Sequence, residues 1–194
     1  GNGYSDDWVK EAKKRGLSNL INTPQALAVW ERKDVHKLFS DMNILNSEEI
    51  HARMEVDLEN YIMKRQIEAR VTGDLAQNHF IPAAVKYQTQ LLENTKGLIE
   101  VLGTSAGKKA AATQIDIIKS ISGHLEAVKS GIDKMLDKRR KIDGFEDPMK
   151  KAKEYADTVV PLMSNIREHV DQLEMLVDDE IWPMPKLREI LFTS

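Results

Sequence analysis

The stretch Glu48-Glu49-Ile50-His51 contains a Glu-x-x-His pair. Two such pairs, with two further inward carboxylates, are what a helical bundle needs to hold a pair of iron or manganese ions. The chain has a single copy, and it sits where a helix begins, so a carboxylate-bridged metal enzyme lacks half its ligands. The five histidines, His36, His51, His79, His124 and His169, are spread singly along the chain and read as surface or hydrogen-bonded groups rather than ligands. Gln66, Arg70, Asp74 and Asn78 recur every four residues, with Glu68 and His79 beside them. That spacing puts them on one face of a helix, where Arg70 and Asp74 can pair. The ladder is either a solvated face or a hydrogen-bonded network between helices or against a partner, where any unpaired group would be costly. Ile67, Val71 and Leu75 adjoin it and keep the second reading open.

Phosphate and nucleophile chemistry find less support. Gly103-Thr104-Ser105-Ala106-Gly107-Lys108-Lys109 has its glycines four apart where a phosphate loop needs five. Lys109 stands where Ser or Thr would bind magnesium, and no strand precedes it. It reads as a connection between two helices. Neither Gly-x-Ser-x-Gly nor His-Glu-x-x-His occurs, and with no cysteine there is neither a thiolate nucleophile nor a disulfide framework. The motifs alone describe a chain that is not an enzyme by itself: catalytic none, cofactor-binding none, metal none.

The totals agree with a helical reading. In 194 residues, 30% are charged and 41% hydrophobic, with 10 Gly and 6 Pro, a balance rich in helix and poor in tight turns. A formal charge of -3 offers no clustered basic face for nucleic acid. No run of 18 apolar residues suggests a membrane span, and the start GNGYSDDW lacks the basic and apolar regions of a secretory signal. The cytoplasm is the expected compartment. The first residue is not Met, and the chain reads as a piece of something longer.

The elements that must position these residues are helices. Apolar spacing is of the 3.6 kind almost throughout, and no alternating β-branched run appears. A short helix is expected over Asp6 to Arg15, closed by Gly16. Thr23 and Pro24 start a second, and Asp34 caps a third, with Met42 to Asn46 as the connection. From Ser47 no breaker except Gly73 precedes Pro82, so a rod of roughly 50 Å is expected, with Ile50, Met54, Leu58, Tyr61, Ile62, Val71 and Leu75 along it. Pro82 should kink it, after which the helix resumes through Val85, Leu92, Ile99 and Leu102 to Gly103. The loop TSAG leads to a helix from about Lys108 to Lys141, striped by Ile115, Ile118, Ile121, Leu125, Val128, Ile132 and Met135. Asp147 and Pro148 then open a last long helix to about Ile181, with Pro161 as a second kink.

The expected fold is therefore all-α: an antiparallel bundle of three or four long helices, one kinked at a proline, preceded by short helices. The expected division is residues 1–46, short helices packing on the bundle, and 47–194, the long-helix bundle with an apolar tail, together one structural domain. Residues 108–153 carry 12 Lys and Arg against 7 Asp and Glu, while 168–180 carry 6 acids and no Lys or Arg. A hairpin around Gly144 would bring Asp178, Asp179 and Glu180 near Lys108 and Lys109, a matter of register rather than stability. In the tail, Pro183 and Pro185 stop the helix, Trp182 is a large anchor, and Leu187, Ile190, Leu191 and Phe192 form an apolar edge. The tail either closes one end of its own bundle or docks onto a partner.

Two stretches carry a family likeness. IEARVTGDLAQNHFIPAAVKYQ, from Ile67 to Gln88, and the tail DDEIWPMPKLREILF resemble the C-terminal region of type III glutamine synthetase, as do TPQALAVW and EVDLENYI. The likeness runs from about Thr23 to Thr193, weakest between Gly103 and Met149, and Leu187 stands where Tyr is expected. It implies a parent enzyme that condenses glutamate with ammonia, using ATP and a divalent metal (magnesium or manganese), in a ring with active sites between neighbouring subunits. The family's metal ligands and substrate arginines belong to an upstream α/β domain, and none matches a residue here. The likeness thus implies a helical assembly domain that meets a catalytic domain and neighbouring subunits and holds no cofactor itself. The candidate interface is Trp182, Pro183, Pro185, Leu187, Leu191 and Phe192; the candidate polar network is Gln66, Arg70, Asp74, Asn78 and His79. A free-standing helical-bundle interaction or sensor module is the alternative.

Overall fold

The computed structural model describes residues 3–191, and all its regular elements are helical. In chain order they are α1 (Asp6–Lys14), α2 (Thr23–Leu27), α3 (Lys33–Asp41), α4 (Ser47–Leu75), α5 (Ile81–Leu102), α6 (Thr104–Ala110), α7 (Ala112–Asp143), α8 (Pro148–Glu154), α9 (Val160–Leu176) and α10 (Leu187–Leu191). The described residues fall into two compact units, 3–64 with 144–157, and 65–143 with 158–191. The boundary between them within the first long helix falls between Lys64 and Arg65 of α4.

In the first unit the helix starts are set by capping. Ser5 accepts from the Trp8 N–H at 3.2 Å to open α1, and Gly16 follows its end with φ +72. The cap of α2 is Asn22, not Thr23: its Oδ1 accepts from Gln25 N–H at 3.0 Å, and the Gln25 side chain reaches back to Ile21 N–H at 3.1 Å. Asn leads the cap preference, ahead of Thr. Nor does Asp34 cap α3, which begins one residue before it; its carboxylate instead takes the Arg32 guanidinium at 3.0 Å. Asn46 and Glu49 make a reciprocal box at the start of α4, at 2.9 and 2.8 Å. Buried positions here include Leu27, Ile50, Met54, Leu58, Ile62, Met149, Ala152 and Tyr155, with Trp30 against Phe39 at 5.4 Å between ring centres. Asp147 caps α8 through the Met149 N–H at 2.9 Å, with Pro148 in its first turn.

In the second unit the end of α4 and all of α5 run antiparallel to α7. Gln66 meets Asp143, Gly73 faces Met135, Gln88 meets Ser122 and Asn94 meets Gln114, one partner rising as the other falls. On its other side α7 packs on α9, where Gly131 lies so close to Ile166 that an added Cβ would come within 2.8 Å of its Cγ1. Ile121, Val128, Ile132 and Met135 of α7 and Ile166, Val170 and Leu173 of α9 are buried, as their spacing dictates. The buried face of α5 is turned from the one its apolar spacing suggests. Val85 and Leu92 are exposed, whereas Ala83 and Ala84 are buried and Gln88 bonds the Ile118 carbonyl at 3.1 Å and Ser122 Oγ at 2.7 Å. Small residues allow a close approach of the helices, and the Gln88 bonds offset its desolvation.

Both internal prolines are accommodated in one way. A π-helical turn, Ala76–Phe80, precedes Pro82, and another, Tyr155–Val159, precedes Pro161 in the same register. A proline cannot donate to the carbonyl four residues back and crowds it; the wider turn inserts one residue and relieves both faults without ending the rod. Two expected boundaries change. The TSAG segment is helical: α6 starts directly after Gly103, whose φ of +80 makes the corner. Gly107 then presses on α5, where an added Cβ would lie 2.4 Å from Ile99 Cα. The last long helix ends at Leu176, because Val177 takes an extended conformation.

Candidate functional site

Where α9 stops, the chain reverses. Asp178 forms the turn, its carboxylate accepting from Glu180 N–H at 2.8 Å and its carbonyl from Trp182 N–H at 3.0 Å. Lys186 then reaches back to the helix end, donating to the Val177 carbonyl at 2.7 Å and pairing with Asp179 at 2.6 Å. A cation at the negative end of a helix that also satisfies a terminal carbonyl is favourable on both counts. The reversal delivers the indole of Trp182 onto the ring of Phe80, stacked at 5.0 Å and 10°. Phe80 closes the first π turn, so the turn that accommodates Pro82 also presents the surface that receives Trp182.

Between the end of α4, its π turn, α9 and this tail lies a cleft of about 610 Å³. Leu75, Phe80, Val170 and Trp182 give it an apolar floor, the exposed Ile190 lines it too, and Glu68, Arg167, Asp171 and Glu174 stand at its rim. The rim charges are engaged, Arg65 with Glu68 at 2.6 Å and Arg167 with Asp171 at 2.5 Å. No polar or charged side chain is fully buried among the described residues, and none of their His, Asp and Glu side chains gather in threes that could hold a metal ion. The cleft therefore combines an apolar floor with charged side chains paired at its rim.

The model of the glutamine synthetase C-terminal domain matches residues 1–98. The chain belongs to the glutamine synthetase C-terminal domain family. The whole chain is 42% identical to a glutamine synthetase of Bacteroides fragilis (strain YCH46), and 99% of it is 31% identical to a type-3 glutamine synthetase of Dictyostelium discoideum. A glutamine synthetase of Butyrivibrio fibrisolvens is 28% identical over the chain's full length. The chain spans about a quarter of each relative, 26 to 27% of its length. The family match ends close to where the likeness read from the residues weakens, near Gly103.

The sequence-derived candidates of this glutamine synthetase C-terminal domain are placed as follows. Trp182 is buried, whereas Pro183, Pro185 and Leu191 are exposed, as are Met184 and Ile190. Leu187 opens α10, and Phe192 lies outside the described residues. Arg70, Asp74, Asn78 and His79 are exposed and Gln66 is half-buried. Asn78 donates to Asp74 at 2.6 Å and Gln66 to Asp143 at 3.2 Å, while Arg70 and Asp74 form no ion pair among the described residues. The predicted pairing of Asp178, Asp179 and Glu180 with Lys108 and Lys109 does not occur among them either, because the tail supplies Lys186 to the acidic turn first.

The histidines are not all solitary. His124 of α7 and His169 of α9 meet with their Nδ1 atoms 3.0 Å apart and ring centres at 5.3 Å. Burial, and then the charge His169 carries when protonated, push the His124 imidazole below its ordinary value. Sequence reasoning missed this pair and the Lys186 clamp. The first could have been found by reflecting His124 through the Gly144–Asp147 turn, which lands close to His169 once the extra residue of the π turn is allowed for.

Proposed function

We propose that this chain is the helical, non-catalytic assembly domain of a type III glutamine synthetase, a cytoplasmic ATP-dependent glutamate-ammonia ligase, contacting the catalytic domain and neighbouring subunits of a homo-oligomer. The full-length similarity to proteins named glutamine synthetase carries the reading. ATP and a divalent metal belong to the parent enzyme's catalytic domain: among the described residues no three His, Asp or Glu side chains gather to hold such an ion. The docking edge of this reading consists of Met184 and Ile190, which line the cleft, and Leu191 next to Ile190 in sequence, exposed by 44, 60 and 69%. An apolar edge of this kind, rimmed by charge, suits a protein partner better than water.

The test has two parts. The 194-residue chain, given glutamate, ammonia, ATP and magnesium, forms no glutamine; turnover would refute the non-catalytic assignment. In the full-length enzyme, Ile190→Ser with Leu191→Ser lowers the ring fraction in sedimentation at least several-fold while the domain's own melting is unchanged. An unaltered ring would remove the tail from the interface.

A further inference from the structure

We propose that α1, with the stretch that follows it to Ile21, is a docking arm whose apolar face packs on the part of the parent polypeptide preceding this domain. The inference deepens the reading of the chain as the C-terminal domain of a longer glutamine synthetase and rests on it. Trp8, Val9, Leu17, Leu20 and Ile21 are all exposed, and no residue of α1 is buried. The helix is nonetheless fully specified. Ser5 caps it, acids occupy its first turn and lysines its last, and Gly16 follows with φ +72. Its nine residues fall short of the roughly 12–15 that an isolated helix needs to persist in water. A helix so short, with capped ends and nothing buried in its own unit, requires a surface elsewhere.

The face has defined borders. Trp8, Val9 and Ala12 share one side of the helix, and Asp6, Asp7, Lys10 and Lys14 take the other. Arg15 pairs with Glu11 at 2.9 Å and lies over the Trp8 ring at 5.8 Å, closing one edge. The bases Lys10, Lys13, Lys14 and Arg15 are nearly balanced by Asp6, Asp7 and Glu11, so a lipid surface or nucleic acid, which favours a predominantly basic polar face, fits less well than protein. The matching family model is that of a C-terminal domain, and the chain spans 26 to 27% of each relative. The remainder of such a parent lies ahead of α1, the first element here. A surface on the same polypeptide, tethered through the residues ahead of Ser5, acts at roughly millimolar effective concentration, which lets a small apolar face dock that could not hold a separate molecule.

Hydrogen exchange on the full-length enzyme tests the arm. The amides of Lys10 to Lys14 exchange at least about tenfold more slowly there than in a synthetic peptide of residues 1–21; equal rates overturn the proposal. Trp8→Ala with Val9→Ala returns them to the peptide's rate while α7 stays protected. Alanine is the better helix former, so that loss reports lost docking rather than lost helicity. Protection kept by the variant overturns the apolar face as its cause. Should the variant fail to fold, cross-linking decides. A photoreactive p-benzoylphenylalanine in place of Lys13, at the edge of the face, joins residues ahead of this domain on illumination and leaves the polypeptide at monomer mass. A product of dimer mass hands the face to a neighbouring subunit and overturns the proposal, as does a cross-link confined to residues 1–194 or none at all. Glutamine formation by the same preparation reports on the parent reading, so the two can fail separately.

Discussion

His124 shows how a single side chain acquires chemistry from its neighbours. Nothing in its sequence surroundings marks it out, yet burial and His169 disfavour its charged form. A histidine whose folded value lies below its unfolded 6.5 takes up fewer protons folded than unfolded, so its contribution to stability is complete above that value and is lost as pH falls through it. Tm therefore declines as pH falls from 7 to 5.5, modestly because the half-buried ring is partly screened. His124→Gln flattens that slope. An identical slope in the variant would assign the decline to other groups.

At the scale of elements, the sequence marked where helices begin and break but not how closely they approach. The single-residue corner at Gly103 and the contact of Gly107 with the backbone of Ile99 turn what reads as a flexible TSAG loop into a helix packed on its predecessor. Gly107→Ala places a methyl against main-chain atoms that cannot rotate away, and costs about 2 kcal/mol in urea unfolding. Gly123→Ala, where nothing lies within 4 Å, leaves stability the same or slightly raises it. Equal stability of the two variants would mean that α5 and α6 do not pack as described. The prolines teach a related lesson. A kink at Pro82 and Pro161 follows from the missing N–H, but that each is resolved by a π turn just upstream, keeping the rod continuous, depends on packing that holds the helix on both sides of the break.

For the molecule as a whole, the tail divides into a part that serves its own unit and a part that faces outward. Cutting the chain after Asp179 removes Trp182 from Phe80 and Lys186 from the end of α9, and should cost about 3 kcal/mol, seen as a Tm lower by roughly 6–12 °C. A cut after Lys186 keeps both contacts, and the side chains it removes that are described, Glu189, Ile190 and Leu191, are exposed, so Tm stays within about 2 °C. If both cuts melt alike, the division is wrong. The sequence by itself determined the helical class, most helix starts, the buried stripe of α7, and the family, because period, capping residues and proline positions are local properties of the chain. Only the tertiary structure decided which face of α5 is buried, that Trp182 lies on Phe80, and that His124 meets His169. Those depend on the register between segments remote in sequence, where one inserted residue in a π turn rotates everything after it by about 100°.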